Sequence, residues 1–158
     1  MSSNGVVSID SRTSVDYLTS GTNVQTTING NNFACNIPSV TLDDLLKESQ
    51  HKQIAIKLDV EGNEFAALEG AKNTIKKLRP IFIIECTNAQ TSHNCSEFLK
   101  ERGYIFYIIN DSSFELSLTK ELVPLFEDDK VDLNRLNRLA VPIEKKDYME
   151  NKIAKGNS

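Results

Sequence analysis

From Thr41 onward the sequence alternates between helical spacing of apolar residues and short runs that are almost continuously apolar. The stretch SVTLDDLLKESQ predicts a helix capped by Thr41, with Leu42, Leu45 and Leu46 as its buried stripe. A second helix is predicted over residues 63–78. The runs QIAIKLD, IFIIEC, YIFYII and RLAVPI are typical of strands buried on both faces. This alternation predicts an α/β fold with a mainly parallel sheet.

Two further helices are predicted in the C-terminal half. SHNCSEFLKERG fits a helix that ends at Gly103, and the Pro-interrupted TKELVPLFEDD fits a weaker one. Charged residues dominate from Glu144 onward, and we expect this tail to fray.

The first 38 residues follow a different pattern and are rich in Ser, Thr, Asn and Gly. Apolar and polar residues alternate on both sides of Asn29-Gly30 in NVQTTINGNNFACNI, which predicts a β-hairpin with its turn there. GVVSID is a candidate for another short strand. We therefore expect one domain over residues 1–143, with a β-rich hairpin region at 1–38 and alternating α/β structure at 39–143. A flexible tail is expected over 144–158.

Length and charge narrow the classes of function. A chain of 158 residues is long enough for a sizeable core. Its net charge of −4 argues against a surface that binds nucleic acid. No apolar run approaches the ~20 residues of a membrane helix, and MSSNGVVSID lacks the features of a secretory signal. We expect a cytoplasmic protein that binds neither nucleic acid nor membrane.

The three cysteines are expected to be free thiols. Cys35, Cys86 and Cys95 form an odd set without a C-x-x-C pair. Cys86, His93 and Cys95 lie close together in the sequence, but a metal site needs at least three ligands in suitable geometry. No metal site is predicted.

Acidic residues follow two of the predicted strands. Asp59 ends the first and Glu85 lies at the carboxyl end of the next, so the two carboxylates are expected to meet at the edge where open α/β sheets bind ligands. Glu61 lies close to Asp59, and Gly62 allows a tight turn or a close approach of a ligand to the backbone. Glu64 falls in the first turn of the next helix, where a negative charge suits the helix dipole. An equally open interpretation is that Asp59 caps the helix and Glu61 is solvated.

Of the two histidines, His93 is the one that could reach this edge. It follows the Glu85 strand, in the loop TNAQTSHN, whereas His51 precedes its strand and is expected on the surface. Gly62, Glu64 and His93 are therefore the candidates for substrate contacts.

The motifs SVTLDDLL, IKLDVEGNEFAALEGA and RPIFIIE, in this order and at these separations, resemble the FkbM-type family of S-adenosylmethionine-dependent methyltransferases. The resemblance is strong over residues 40–85 and weaker over 6–102. It implies a Rossmann-like methyltransferase fold and methyl transfer to an oxygen of a small acceptor, often a glycan or a secondary metabolite. By this resemblance Asp59, Glu61 and Glu85 are the catalytic residues. Asp59 would position the acceptor or act as the base, and Glu61 or Glu85 would hold its hydroxyl.

One part of the family pattern is absent from this sequence. Members carry a Gly-rich loop for the donor after their first strand, and no two of the seven glycines here are close enough for G-x-G. The chain thus resembles the C-terminal half of the domain, a partial fold. We expect it to be inactive alone and to need a missing N-terminal half or a homodimer.

Two other functions remain open. The chain could be a non-catalytic remnant or partner-binding module, because half a sheet has an exposed edge. Alternatively, acids at adjacent strand ends could bind magnesium for phosphate chemistry.

Overall fold

The computed structural model describes residues 5–10, 24–25, 33–51, 53–113, 115–124, 126–127 and 130–156. The strands are β1 (Gly5–Asp10), β2 (Val24–Gln25), β3 (Phe33–Ser39), β4 (Ala55–Leu58), β5 (Ile81–Glu85), β6 (Tyr104–Ile109), β7 (Leu116–Thr119), β8 (Phe126–Glu127), β9 (Lys130–Val131) and β10 (Asn137–Pro142). The helices are α1 (Leu42–Leu46), α2 (Glu64–Glu69), α3 (Lys72–Leu78), α4 (Ala89–Lys100) and α5 (Lys146–Gly156). Among the described residues, no helix is both long and apolar enough to cross a bilayer.

The main sheet has five strands in the order β4-β5-β10-β6-β7. The α/β class is confirmed, and the arrangement is consistent with a partial Rossmann-like fold. The prediction of a mainly parallel sheet is not confirmed, because only β4 and β5 pair in parallel. The last strand, β10, inserts between β5 and β6 and runs antiparallel to both. As a result β4, β5 and β6 point in the same direction although β5 and β6 are not neighbours.

The helix predicted over TKELVPLFEDD does not form in its described residues. Instead β7 pairs antiparallel with β6, from Phe106 opposite Thr119 to Ile109 opposite Leu116. The reversal between them is set by Asn110, whose Oδ1 accepts hydrogen bonds from the amides of Ser112 and Ser113. Such an Asx turn favours a hairpin over a helical crossover.

The N-terminal strands form a separate three-stranded sheet in the order β2-β1-β3. The prediction that the residues on the two sides of Asn29-Gly30 pair with each other is wrong, because β2 and β3 each pair antiparallel with β1 instead. The segment GVVSID, which is predicted to be a further short strand, forms the central strand β1 and pairs with β3 from Gly5 to Asp10. The expected turn at Asn29-Gly30 lies outside the described residues.

The helices differ in detail from those predicted. Thr41 caps α1 by accepting a hydrogen bond from the Asp44 amide, as expected. Leu45 was predicted to be buried, but its side chain is 65% exposed. The single helix predicted over 63–78 is divided into α2 and α3, because α2 closes at Gly70, where the Gly70 amide donates to the Ala66 carbonyl and the Ala71 amide donates to the Leu68 carbonyl. The fourth helix begins earlier than predicted, at Ala89.

Apolar residues of the sheet pack on both faces. The larger cluster includes Leu68, Ile75, Phe82 and Phe106, all at most 2% exposed. On the other face Val141 belongs to a smaller cluster that Met149 covers.

Met149 belongs to α5, so residues 146–156 of the segment predicted as a flexible tail form a helix. Tyr107 also donates a hydrogen bond to Glu150 of this helix at 3.1 Å. Packing against the sheet gives these charged residues an order that their composition does not reveal.

Candidate functional site

Two of the predicted acids lie side by side at the carboxyl ends of β4 and β5. Leu58 is paired with Ile84 in the parallel register, so the next residues along the two strands are Asp59 and Glu85. Burial raises the pKa of Glu85, and the negative charges of Asp59 and Glu61 raise it further. The structure therefore brings Asp59, Glu61 and Glu85 together, as expected from the parallel pair. Their catalytic roles remain a prediction.

A tight turn over residues 60–63 presents Glu61. The Asn63 amide donates to the Val60 carbonyl at 3.1 Å, and both central residues have positive φ, 48° at Glu61 and 93° at Gly62. Two positive φ values are the pattern of a type I′ turn, for which glycine is well suited. A Cβ at Gly62 would meet nothing within 4 Å, so the backbone faces open space. This leaves room for a ligand beside Gly62, whose substrate contact stays a prediction.

The side chain of Glu64 stabilises this turn. Glu64 is only 4% exposed, and its Oε1 accepts hydrogen bonds from the amides of Val60 at 3.3 Å and Gly62 at 3.1 Å. A buried carboxylate needs such donors, and here the backbone supplies them. The geometry thus gives Glu64 a structural use, and its predicted contact to substrate is untested.

Three further polar residues at the same edge were missed by the sequence analysis. Lys57 lies 2.8 Å from Asp59 and its pKa is raised, first by that hydrogen bond and charge and further by Glu85 and Asp111. Asn137 begins β10 opposite Glu85 and donates to both Asp111 oxygens at 3.2 Å. Asp111 could have been found by the rule that found the other acids, because it follows the apolar strand YIFYII.

His93 is not in the predicted loop but in the second turn of α4, and it is exposed. It interacts with Glu97, whose pKa is lowered mainly by Lys100 and to a smaller extent by His93. No described contact joins His93 to Asp59, Glu61 or Glu85. Its assignment to the substrate is therefore untested and gains no support from the geometry.

Neither the cysteines nor the acids of the described residues form a metal site. Cys86 and Cys95 are free and fully buried, and burial raises the pKa of Cys95 to about 12. In the part of the chain that the structure describes, no group of three or more His, Cys, Asp or Glu side chains is placed to hold a metal ion. The magnesium-dependent alternative therefore has no geometric support.

The charge at this edge suits a cationic ligand. Among the described residues, the ammonium group of Lys57 interacts with the carboxylates of Asp59, Glu85 and Asp111, and the carboxylate of Glu61 adds its charge next to Glu85. Partly buried like charges produce a local negative potential, which attracts positive groups and hydroxyl donors.

Comparison with known proteins gives one match. The family model described as "Methyltransferase FkbM domain" matches residues 6–106. No curated protein and no solved structure matches the chain. The matched range runs from the second residue of β1 to the third residue of β6 and contains β4, β5, the turn at Glu61 and Gly62, and α4.

Proposed function

The chain belongs to the FkbM methyltransferase family, whose model covers well over half of its length, and from this premise we propose that it takes part in methyl transfer from S-adenosylmethionine to an acceptor hydroxyl. The acceptor that we propose is a small molecule with several hydroxyls, such as a sugar or a secondary metabolite. The observation that supports this proposal is the meeting of Asp59, Glu61 and Glu85 at the ends of two parallel strands.

The acids divide the chemical work in this proposal. Glu85 is the better base, because its raised pKa brings it closer to the pH at which it must take the hydroxyl proton. Asp59 is fixed by Lys57 at 2.8 Å, which suits a residue that positions the acceptor oxygen. Glu61, on the turn, would bind a neighbouring hydroxyl.

The described residues fit one part of the donor. S-adenosylmethionine supplies a methyl group carried on a positively charged sulfur, and the excess of carboxylates over ammonium groups suits that charge. The sequence has no G-x-G loop for the rest of the molecule. We therefore propose that full donor binding requires a donor-binding half that these residues do not provide, which would leave this segment inactive alone.

Calorimetric titration with S-adenosylmethionine tests the proposal. Asp59→Ala should weaken binding about tenfold or more, because it removes a charged group from the site. Glu101→Ala, which removes an exposed acid between the end of α4 and the start of β6, away from the carboxyl ends of β4 and β5, is the matched control and should bind like the wild type.

The results of this titration distinguish a donor-binding methyltransferase from a non-catalytic module. Saturable binding weakened by Asp59→Ala supports the site, and acceptors can then be screened for methylation. If the folded wild type shows no heat with millimolar donor, stand-alone donor binding is excluded. Methylation that fails to appear after a donor-binding half is added would contradict the proposed activity itself and favour a non-catalytic module.

A further inference from the structure

A second charged region lies near the amino ends of β5 and β6, away from the acids at the carboxyl ends of β4 and β5. A surface cavity of about 530 Å³ opens there between α3 and the turn that joins α4 to β6. All the residues that line it fall within 72–102, so both of its walls belong to the described chain. The charged ones are Lys72, Lys76, Arg79, Arg102 and Glu101. We propose that this cavity binds the phosphate group of a small phosphorylated molecule.

Arg102 is held in place on one wall of the cavity. Its guanidinium carbon lies 3.6 Å from the centre of the Phe98 ring, and its Nη1 donates to the Phe98 carbonyl at 2.6 Å. Among the described residues, the Nε and Nη2 groups of Arg102 have no hydrogen-bond partner. A guanidinium fixed in this way loses little conformational freedom on binding, and its two remaining N–H groups match two oxygens of a phosphate.

Two lysines supply positive charge from the other wall. Lys72 and Lys76 lie on α3, both are exposed, and their spacing of four residues places them on the same face of the helix. Lys76 has no ion pair or hydrogen bond among the described residues. Lys72 lies 3.4 Å from Glu69, but an exposed pair of this kind contributes little and does not prevent a contact to another anion. Cations on two walls suit a tetrahedral phosphate better than a flat carboxylate.

The acids near the cavity leave the free side of Arg102 available. Glu101 contacts Nη1 of Arg102 at 3.4 Å, which is the nitrogen already bonded to Phe98, and its side chain is 75% exposed. Arg79 is occupied by Glu144 and backbone carbonyls, so it forms part of the wall and is not counted as a ligand. The net charge of the whole chain is −4, so the local excess of positive charge does not follow from its composition.

The size of the cavity favours a small ligand. Sites for small molecules are typically clefts of roughly 300–1,000 Å³ that enclose most of the ligand, and this cavity falls in that range. Its floor includes Ile75, which is only 1% exposed and offers an apolar contact for the part of the ligand that carries the phosphate. A concave site of this kind fits a phosphorylated metabolite rather than a flat membrane surface.

A second cavity, of about 320 Å³, lies between α1 and α3 and differs in charge. Lys47 and Lys77 line it together with Asp43 and Asp44, so its lysines and acids are equal in number. This balance gives no reason for an anion to bind there. Lys47, which is exposed, therefore serves as a matched control for Lys76.

Titration with inorganic phosphate at constant ionic strength, followed by NMR of the backbone amides, tests the inference without methyl donor or acceptor. The amides of Lys76, Arg102 and Gly103 should shift saturably, whereas that of Asp59 should not. Arg102→Lys keeps the charge but removes the paired N–H groups, so it should weaken phosphate binding about tenfold. Lys76→Gln should weaken it about threefold, as expected for an exposed charge.

The exposed lysines keep the test independent of folding. Lys76→Gln changes a side chain that lies in solvent, so it remains informative if Arg102→Lys unfolds the protein. Lys47→Gln removes the same charge at the second cavity and should leave the dissociation constant for phosphate unchanged. A rise in ionic strength should weaken binding to the wild type.

Four results would overturn the inference. If phosphate shifts no amide near Arg102, the cavity does not bind it. If Lys47→Gln weakens binding as much as Lys76→Gln, binding reflects total charge rather than this site. If acetate binds as tightly as phosphate, the cavity recognises a carboxylate instead. Binding to vesicles of anionic lipid without saturable binding of free phosphate would assign the region to a membrane surface.

Discussion

Arg79 and Glu61 both have a left-handed backbone conformation, with φ of 49° and 48°, and lie at opposite ends of the parallel strands β5 and β4. Here the amino edge is the end of these strands at Arg79, and the carboxyl edge is the end at Glu61. This conformation costs a residue with a Cβ roughly 1–2 kcal/mol. At Arg79, which precedes β5, the guanidinium contacts both carboxylate oxygens of Glu144 at 2.7 and 2.9 Å. It also donates to the carbonyls of Arg102 and Gly103 and lies 4.8 Å from the centre of the Tyr104 ring.

The turn at Glu61 is held by the carboxylate of Glu64, but in the part of the chain that the structure describes the side chain of Glu61 itself makes no such contacts. Within the described residues its carboxylate accepts no hydrogen bond, and its charge raises the pKa of the neighbouring Glu85. At the other edge, the hydrogen bond from Arg79 lowers the pKa of Glu144 to about 2. The amino edge is thus arranged for stability, whereas the carboxyl edge keeps strain and repulsion that stability alone does not explain. Backbone strain that the residue's own side chain does not offset is a reason to look for function at Glu61.

Removing the Arg79 guanidinium should have the largest effect on this comparison. Arg79→Met leaves the backbone strained but removes the ion pair and two carbonyl contacts. We expect the free energy of unfolding, measured by urea denaturation, to fall by about 2–4 kcal/mol. Arg79→Lys keeps the charge but lacks the planar guanidinium group, so its free energy of unfolding should lie between those of the wild type and Arg79→Met. A loss below about 0.5 kcal/mol would show that the amino edge is not stabilised in this way.

Substitution of Glu61 should have the opposite sign. Glu61→Gly relieves the backbone strain and removes a charge, so we expect a gain of about 1 kcal/mol in the free energy of unfolding. Glu61→Ala removes the charge but keeps the strained Cβ. If the free energy of unfolding rises equally in both variants, the destabilisation at Glu61 comes from charge repulsion rather than from backbone strain. A loss of stability in Glu61→Gly would mean that Glu61 makes a stabilising contact and would end the contrast with Arg79.

The part of the fold that the sequence predicts is the part governed by local patterns. β4, β5 and β6 were predicted because apolar runs of this length are typical of buried strands, and the cap at Thr41 follows from hydrogen bonds within one helical turn. The position of β10 between β5 and β6 was not predictable, because pairing partners far apart in the chain leave no local signal. The helical order of α5 likewise depends on packing against Tyr107.

The candidate site shows the same division. Convergence of Asp59 and Glu85 followed from one rule about parallel strands, and that rule applied to β6 would also have given Asp111. Asn137 could not be found in this way, since it reaches the edge at the start of an antiparallel strand. The strain at Glu61 was equally hidden, because glutamate carries no preference for positive φ.

The smallest expected effect is a pH dependence of opposite sign at the two edges. The folded-state pKa of Glu85 is raised above its ordinary value of 4.5, so the folded protein binds more protons there than the unfolded chain. Stability should therefore fall as pH rises above about 4.5, through the folded pKa of Glu85. Glu85→Gln should remove this fall and become increasingly more stable than the wild type over that range.

Glu144 supplies the mirror control for this prediction. Its folded pKa of about 2 lies below 4.5, so its contribution should be present above pH 4.5 and be lost as pH falls toward 2. Urea denaturation of Glu85→Gln and Glu144→Gln from pH 2.5 to 8 measures both differences from the wild type. If the Glu85→Gln difference stays flat above pH 4.5, the carboxylates at that edge do not repel one another. The carboxyl edge would then be as well compensated as the amino edge, and the argument for function from its charge would fail.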